Sequence, residues 1–122
     1  DIPKTWKAVC FACIRAKEFH MAGLCGQKVI IHPDHLEDVL AFYEKFGYDE
    51  QLIQLMEQGM NLERTHSGIY TELGILYAKY QPKHLMDFIR TYNSKLQIPR
   101  LIRACEQYQM WPEAVHLHAS YD

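Results

Sequence analysis

Apolar residues recur along this chain three and four positions apart, with polar residues between them. That spacing places them on one face of an α-helix. No segment alternates apolar and polar positions as a half-buried strand does. Trp6, Val9, Cys10 and Cys13 form the first stripe, and Phe19, Ala22, Gly26, Val29 and Ile30 the second. Leu36, Val39, Leu40, Tyr43 and Phe46 make the third, and Leu52, Ile53, Leu55, Met56 and Met60 the fourth. Ile69, Leu73, Leu76 and Tyr80 follow, with Tyr70 and Tyr77 beside them, and then Leu85, Ile89 and Tyr92. Leu101, Ile102, Cys105 and Tyr108 complete the seventh, and Trp111-Pro112-Glu113 opens an eighth helix that ends with the sequence.

The breaks between stripes carry their own signals. Asp1 can cap a first helix that has Pro3 near its start, because a carboxylate accepts free amide protons and proline loses no bond there. Gly47 suits the left-handed residue that ends a helix, having no side chain to clash. Asp49 and Glu50 then place acids in a first turn, where the helix dipole favours them. Gly23 and Gly26 weaken the second helix but allow a neighbour to approach closely.

Two series of marks keep step along the chain. Phe19, Tyr48, Tyr80 and Trp111 fall about 30 residues apart, and so do Pro3, Pro33, His66 and Pro99. A fixed period of this length marks stacked helix–turn–helix units. The prediction is an all-α α-solenoid (an α/α superhelix) of about four hairpins and eight short helices. The hairpins cover approximately residues 2–31, 33–60, 65–92 and 98–121 of a single array over 1–122. The aromatic marks are expected to pack at the hairpin turns. Trp6 and Cys13 at one end, and Val115, Leu117 and Tyr121 at the other, stand where a finished solenoid carries polar caps. With no initiator Met, the sequence reads as a fragment flanked by further repeats.

Size and composition narrow the function. The 122 residues are 48% hydrophobic and 23% charged, enough to bury a core. A net charge of −2 argues against a dedicated nucleic-acid binder. No apolar run approaches the length of a membrane span, and the start has no signal-peptide pattern. Four cysteines without secretory marks suggest reduced thiols in the cytosol. Cys10-x-x-Cys13, with Cys25, His20 and His32, admits a zinc reading, but both Cys lie in an apolar stripe where a thiol packs as a small hydrophobe. No phosphate-binding glycine motif, H-E-x-x-H pair or Ser, His and acid set is present, so no enzyme activity, cofactor or metal is expected.

Charge is uneven. Residues 34–50 hold six acids against Lys45 alone, and residues 79–103 hold Lys79, Lys83, Arg90, Lys95, Arg100 and Arg103 against Asp87 alone. This is either an ordinary solvated surface or an electrostatic docking face for an acidic helical partner. Seven histidines are similarly open to two readings, surface and cap residues or groups that titrate at a contact.

Asp1-Ile2-Pro3-Lys4-Thr5-Trp6-Lys7, Val9-Cys10-Phe11-Ala12-Cys13 and Met21 to Gly26 resemble the clathrin heavy chain. So do Leu62-Glu63-Arg64, Tyr70-Thr71-Glu72-Leu73, Ile75-Leu76-Tyr77 and Ile98-Pro99-Arg100. The resemblance runs in order through essentially the whole chain, matches the proximal leg segment, and has the character of a divergent eukaryotic version. It implies a structural coat protein whose three-legged trimers form cages on vesicles in endocytosis and trans-Golgi sorting, on the cytosolic face of coated pits. It implies clathrin light chain and other heavy chains as partners, and membranes reached only through adaptors. The Lys after Ile-Leu-Tyr, here Lys79, would lie on the light-chain surface; Lys83, Arg100 and Arg103 are further candidates from the basic half. A histidine pair at pH-sensitive leg contacts would correspond to His32 and, here, Lys28. The alternative is a helical-repeat binding module of another trafficking complex, such as a vacuolar sorting protein.

Overall fold

The Asp1 carboxylate accepts the Lys4 N–H at 2.9 Å, and Pro3 occupies the first turn, so the first helix starts where its cap dictates. The computed structural model describes residues 1–121, and among them there are helices and turns but no strand. The helices are α1 (Ile2–Arg15), α2 (Phe19–Ile30), α3 (Pro33–Lys45), α4 (Asp49–Gly59), α5 (Ser67–Tyr80), α6 (Leu85–Tyr92), α7 (Ile98–Gln107) and α8 (Trp111–Tyr121). Short 3-10 turns lie at Pro82–His84 and Asn93–Lys95. This is an all-α architecture of helical hairpins, the α-solenoid class.

The chain divides into two units, one through Ile69 and one from Tyr70. In the first, α1 packs on α2 and α3, and α2 packs on α4. Cys10, Ile14, Val29, Ile30, Leu52 and Met56 are buried there. In the second, α7 pairs with α8, and α6 also touches α8. Leu73, Leu85, Ile89, Leu101, Cys105 and Leu117 are fully buried there. Burial of one such aliphatic side chain stabilises a fold by about 1.5–3 kcal/mol.

Three hairpins turn in the same way. Glu18 N–H donates to the Cys13 carbonyl, Tyr48 N–H to Tyr43, and Met110 N–H to Cys105, at 2.9, 3.0 and 2.8 Å. Each bond closes a Schellman cap around one left-handed residue. That residue is Lys17 (φ 60°), Gly47 (φ 77°) and Gln109 (φ 61°). The expected role of Gly47 is met, but Lys17 and Gln109 fill the same post with side chains. Left-handed backbone costs an ordinary residue roughly 1 kcal/mol. Lys17→Gly should therefore raise the unfolding free energy of its unit by about 0.5–1 kcal/mol, and Gly47→Ala should lower it by a similar amount. Urea unfolding reads both; a destabilised Lys17→Gly would count against the assigned turn.

The third hairpin differs. Its first helix runs on to Tyr80, and the 3-10 turn at Pro82–His84 makes the break. The four aromatic marks still fall at the four breaks. Phe19 and Tyr48 meet edge to face at 4.8 Å, as packing predicts, whereas Trp111 is 54% exposed. Pro3, Pro33 and Pro99 each stand in the first turn of a helix. His66 stands in front of α5 and does the work with its ring. Its Nδ1 accepts the Gly68 N–H at 3.2 Å, which leaves Nε2 as the donor to the Ile30 carbonyl at 2.8 Å.

Polar contacts repeat with the same period. Lys7 donates to Asp38 at 2.8 Å and to His35 Nδ1 at 3.2 Å, Gln27 donates to Gln58 at 2.7 Å, and Arg100 pairs with Glu72. The partners are 28 or 31 residues apart, one repeat along the chain.

Several expected core positions are corrected. Phe46 is 41% exposed because it caps the end of α3, where it stacks on Tyr48. Trp6 and Val9 also stay exposed: they face away from the side of α1 that meets α2 and α3. Leu117 is fully buried, so it belongs to the core and not to an open end. Close helix approach holds at Gly26, where a Cβ would lie 3.0 Å from Leu55, and not at Gly23, which has open space.

Candidate interaction surface

The basic residues singled out from the sequence all lie in the second unit. Lys79 is exposed in the last turn of α5, with its ammonium 5.0 Å above the Tyr80 ring. Resting over a ring face gives that cation an electrostatic support and restrains where it points. Lys83 is exposed in the 3-10 turn across the same hairpin break. Lys79 and Lys83 thus flank one turn and project charge into solvent.

Arg100 behaves differently. Its guanidinium donates to the Gln97 side chain at 3.0 Å and to the Glu72 carboxylate. Glu72 lies seven residues before Lys79 on α5, about 10 Å away along the axis. Arg100 is therefore partly neutralised and serves to hold α7 on α5. A second tie is close by, where Thr71 Oγ1 accepts the Gln97 N–H at 2.9 Å. Arg103, one turn further along α7, is exposed. Glu72 lay outside the basic window and was missed. The offset of one repeat period would have found it.

His32 is the residue before α3, half-buried, and its side chain does not cap the helix. Its ring meets His35 edge-on at 6.5 Å between centroids. His35 is the better connected of the two, since its Nδ1 takes a bond from Lys7. The same Lys7 ammonium, through its hydrogen bond and its charge, holds the Asp38 carboxyl below the usual range.

The Cys10, Cys25 and Cys105 thiols belong to the interior, and Cys13 is half-buried. Cys10 is fully buried, and its Sγ donates to the Ala22 carbonyl at 3.4 Å. Burial, with a smaller push from Cys25 and Cys13, raises its pKa to about 12. A buried thiol held this far from ionising at neutral pH is a poor nucleophile. Among the described residues, no three His, Cys, Asp or Glu side chains are grouped to hold a metal ion. Among them, too, no helix is long and apolar enough to cross a membrane.

Residues 27–122 match a family model described as a region in clathrin and VPS. The chain belongs to the clathrin heavy-chain repeat family. This clathrin repeat segment is 50% identical over 119 residues to clathrin heavy chain 2 of Oryza sativa subsp. japonica, covering 98% of the chain. It is 46% identical to the clathrin heavy chain of Dictyostelium discoideum and 44% identical to clathrin heavy chain 2 of Homo sapiens, over the same share. The chain spans 7% of the length of each of these relatives.

Proposed function

We propose that this chain is a non-enzymatic segment of a clathrin heavy-chain leg, in the proximal part. The supporting observation is identity of 44–50% along 98% of the chain to heavy chains from a plant, a slime mould and an animal. In this reading the segment works as a rigid spacer and lateral contact surface in a coat. It assembles with other heavy chains into cages on the cytosolic face of budding vesicles, in endocytosis and trans-Golgi sorting. Adaptors make the link to membrane. The exposed apolar residues Ile2, Trp6 and Val9 on α1, and Trp111 and Val115 on α8, suit contact with neighbouring repeats. Identity to heavy chains disfavours a vacuolar sorting protein, although the family model covers both.

The light chain is the partner assigned to the basic surface. Lys79 carries most of this assignment, Lys83 and Arg103 add exposed charge, and Arg100 contributes through its hold on α5. His32 is assigned to a contact between legs. Weak lateral contacts of this kind suit a cage that must also come apart, because many copies multiply the effect.

Binding of a light-chain helix to the chain tests the assignment at low and moderate salt. Lys79→Glu should weaken binding about tenfold at low salt, and less at higher salt, since reversal of an exposed charge is screened. The variant should melt with the parent. Equal binding by a folded Lys79→Glu would remove Lys79 from the surface.

A further inference from the structure

We propose that a groove in the first unit, between α2 and the turn that follows α4, binds a short acidic segment of a partner protein through paired aliphatic side chains. This site uses none of the basic residues assigned to the light chain. The groove has a volume of about 530 Å³, within the range of small-ligand pockets. Leu24, Ile31 and Leu62 line it. Leu24 is 49% exposed, an apolar side chain on a well-formed helix with nothing over it. Leu24, Ile31 and Leu62 thus form a small apolar floor bordered by Gln27, Lys28, Glu63 and Arg64.

The walls are set before any partner arrives. Gln27 is held by its 2.7 Å bond to Gln58. The turn after α4 is closed by Leu62 N–H to the Gly59 carbonyl and by Thr65 N–H to the Leu62 carbonyl, at 3.2 and 3.1 Å. The His66 ring ties that turn to the last residue of α2. A groove with fixed walls loses little entropy when filled, so its apolar contact area is converted efficiently into affinity.

Charge selects the occupant. Lys28 and Arg64 stand exposed on the rim, with Glu63 beside them. Leucine-sized side chains would fill the floor, and flanking carboxylates would meet the two cations.

The test is fluorescence anisotropy of the whole chain with a labelled peptide that has two central leucines between pairs of glutamates. We expect saturable binding that weakens about tenfold in Lys28→Glu/Arg64→Glu. Peptides with alanine for leucine, or glutamine for glutamate, should lose a similar factor against the unaltered protein. Those two arms keep the proposal falsifiable should the double variant fold poorly. Absence of binding, or equal binding by a lysine-flanked peptide, overturns it. So does capture by anionic vesicles in place of the peptide, or self-association through the groove detected by sedimentation.

Discussion

Leu73→Asp is expected to unfold the second unit. Leu73 is fully buried on α5, and the two residues just before it, Thr71 and Glu72, tie that helix to Gln97 and Arg100 at the start of α7. The change removes a buried leucine, which alone costs about 2–5 kcal/mol. It also places a carboxyl group among apolar neighbours with no partner, adding several kcal/mol more or forcing it to stay protonated. The sum rivals the whole stability of a domain this size, about 5–15 kcal/mol. Circular dichroism should therefore record a large loss of helix and no cooperative transition for residues from Tyr70 onward. Arg103→Asp, at an exposed position, should change stability by less than about 0.5 kcal/mol. Parent-like helicity and melting in Leu73→Asp would mean that the apolar phase of α5 has been misassigned.

The second large effect is alkaline destabilisation. Burial pushes the Cys10 thiol from 9.0 up to about 12 and the Cys105 thiol up to about 11. Burial also pushes the Tyr43 hydroxyl well above its usual 10.0. The unfolded chain releases these protons first. Above about pH 9 it thus binds fewer protons than the folded chain, and stability falls as pH rises. Each buried thiol contributes a slope of about 1.4 kcal/mol per pH unit until its folded pKa is reached. Cys10 alone should remove about 3 kcal/mol from the first unit between pH 9 and 11, whereas between about pH 7 and 8 it should have almost no influence. Urea unfolding at about pH 8, 10 and 11 measures the slope, and Cys10→Ala should make it shallower, with the Tyr43 contribution left in place. An unchanged slope in that variant would show that Cys10 is not the group responsible.

Particular residues show how far the sequence speaks for the structure. Asp1, Pro33 and Gly47 are legible because each solves a local problem: a cap, a first turn without a donor, a backbone that cannot hold a side chain comfortably. Lys17 and Gln109 were not legible, since the Schellman bonds impose the left-handed backbone on residues with no preference for it. Trp6, Val9 and Phe46 fit the apolar period, but period alone does not say how many sides of a helix meet a neighbour. In the candidate surface, Lys79, Lys83 and Arg103 were visible as charge. The partial neutralisation of Arg100 was not, because Glu72 is 28 residues away in sequence and adjacent only after the hairpins stack. The groove is another product of stacking, since α2 and the turn after α4 are separated by a whole hairpin.

The turns between the paired helices are only a few residues long, and this bears on how the chain comes into being. A helix closed onto its sequence neighbour by a Schellman turn needs no distant segment to find its partner. Chains dominated by such local closure fold in about microseconds to milliseconds. Ribosomes add about 5–20 residues per second, so one hairpin has more than a second to settle before the next emerges. Synthesis would then lay down the array in order, each new hairpin condensing on a finished surface rather than searching among unfolded copies of itself.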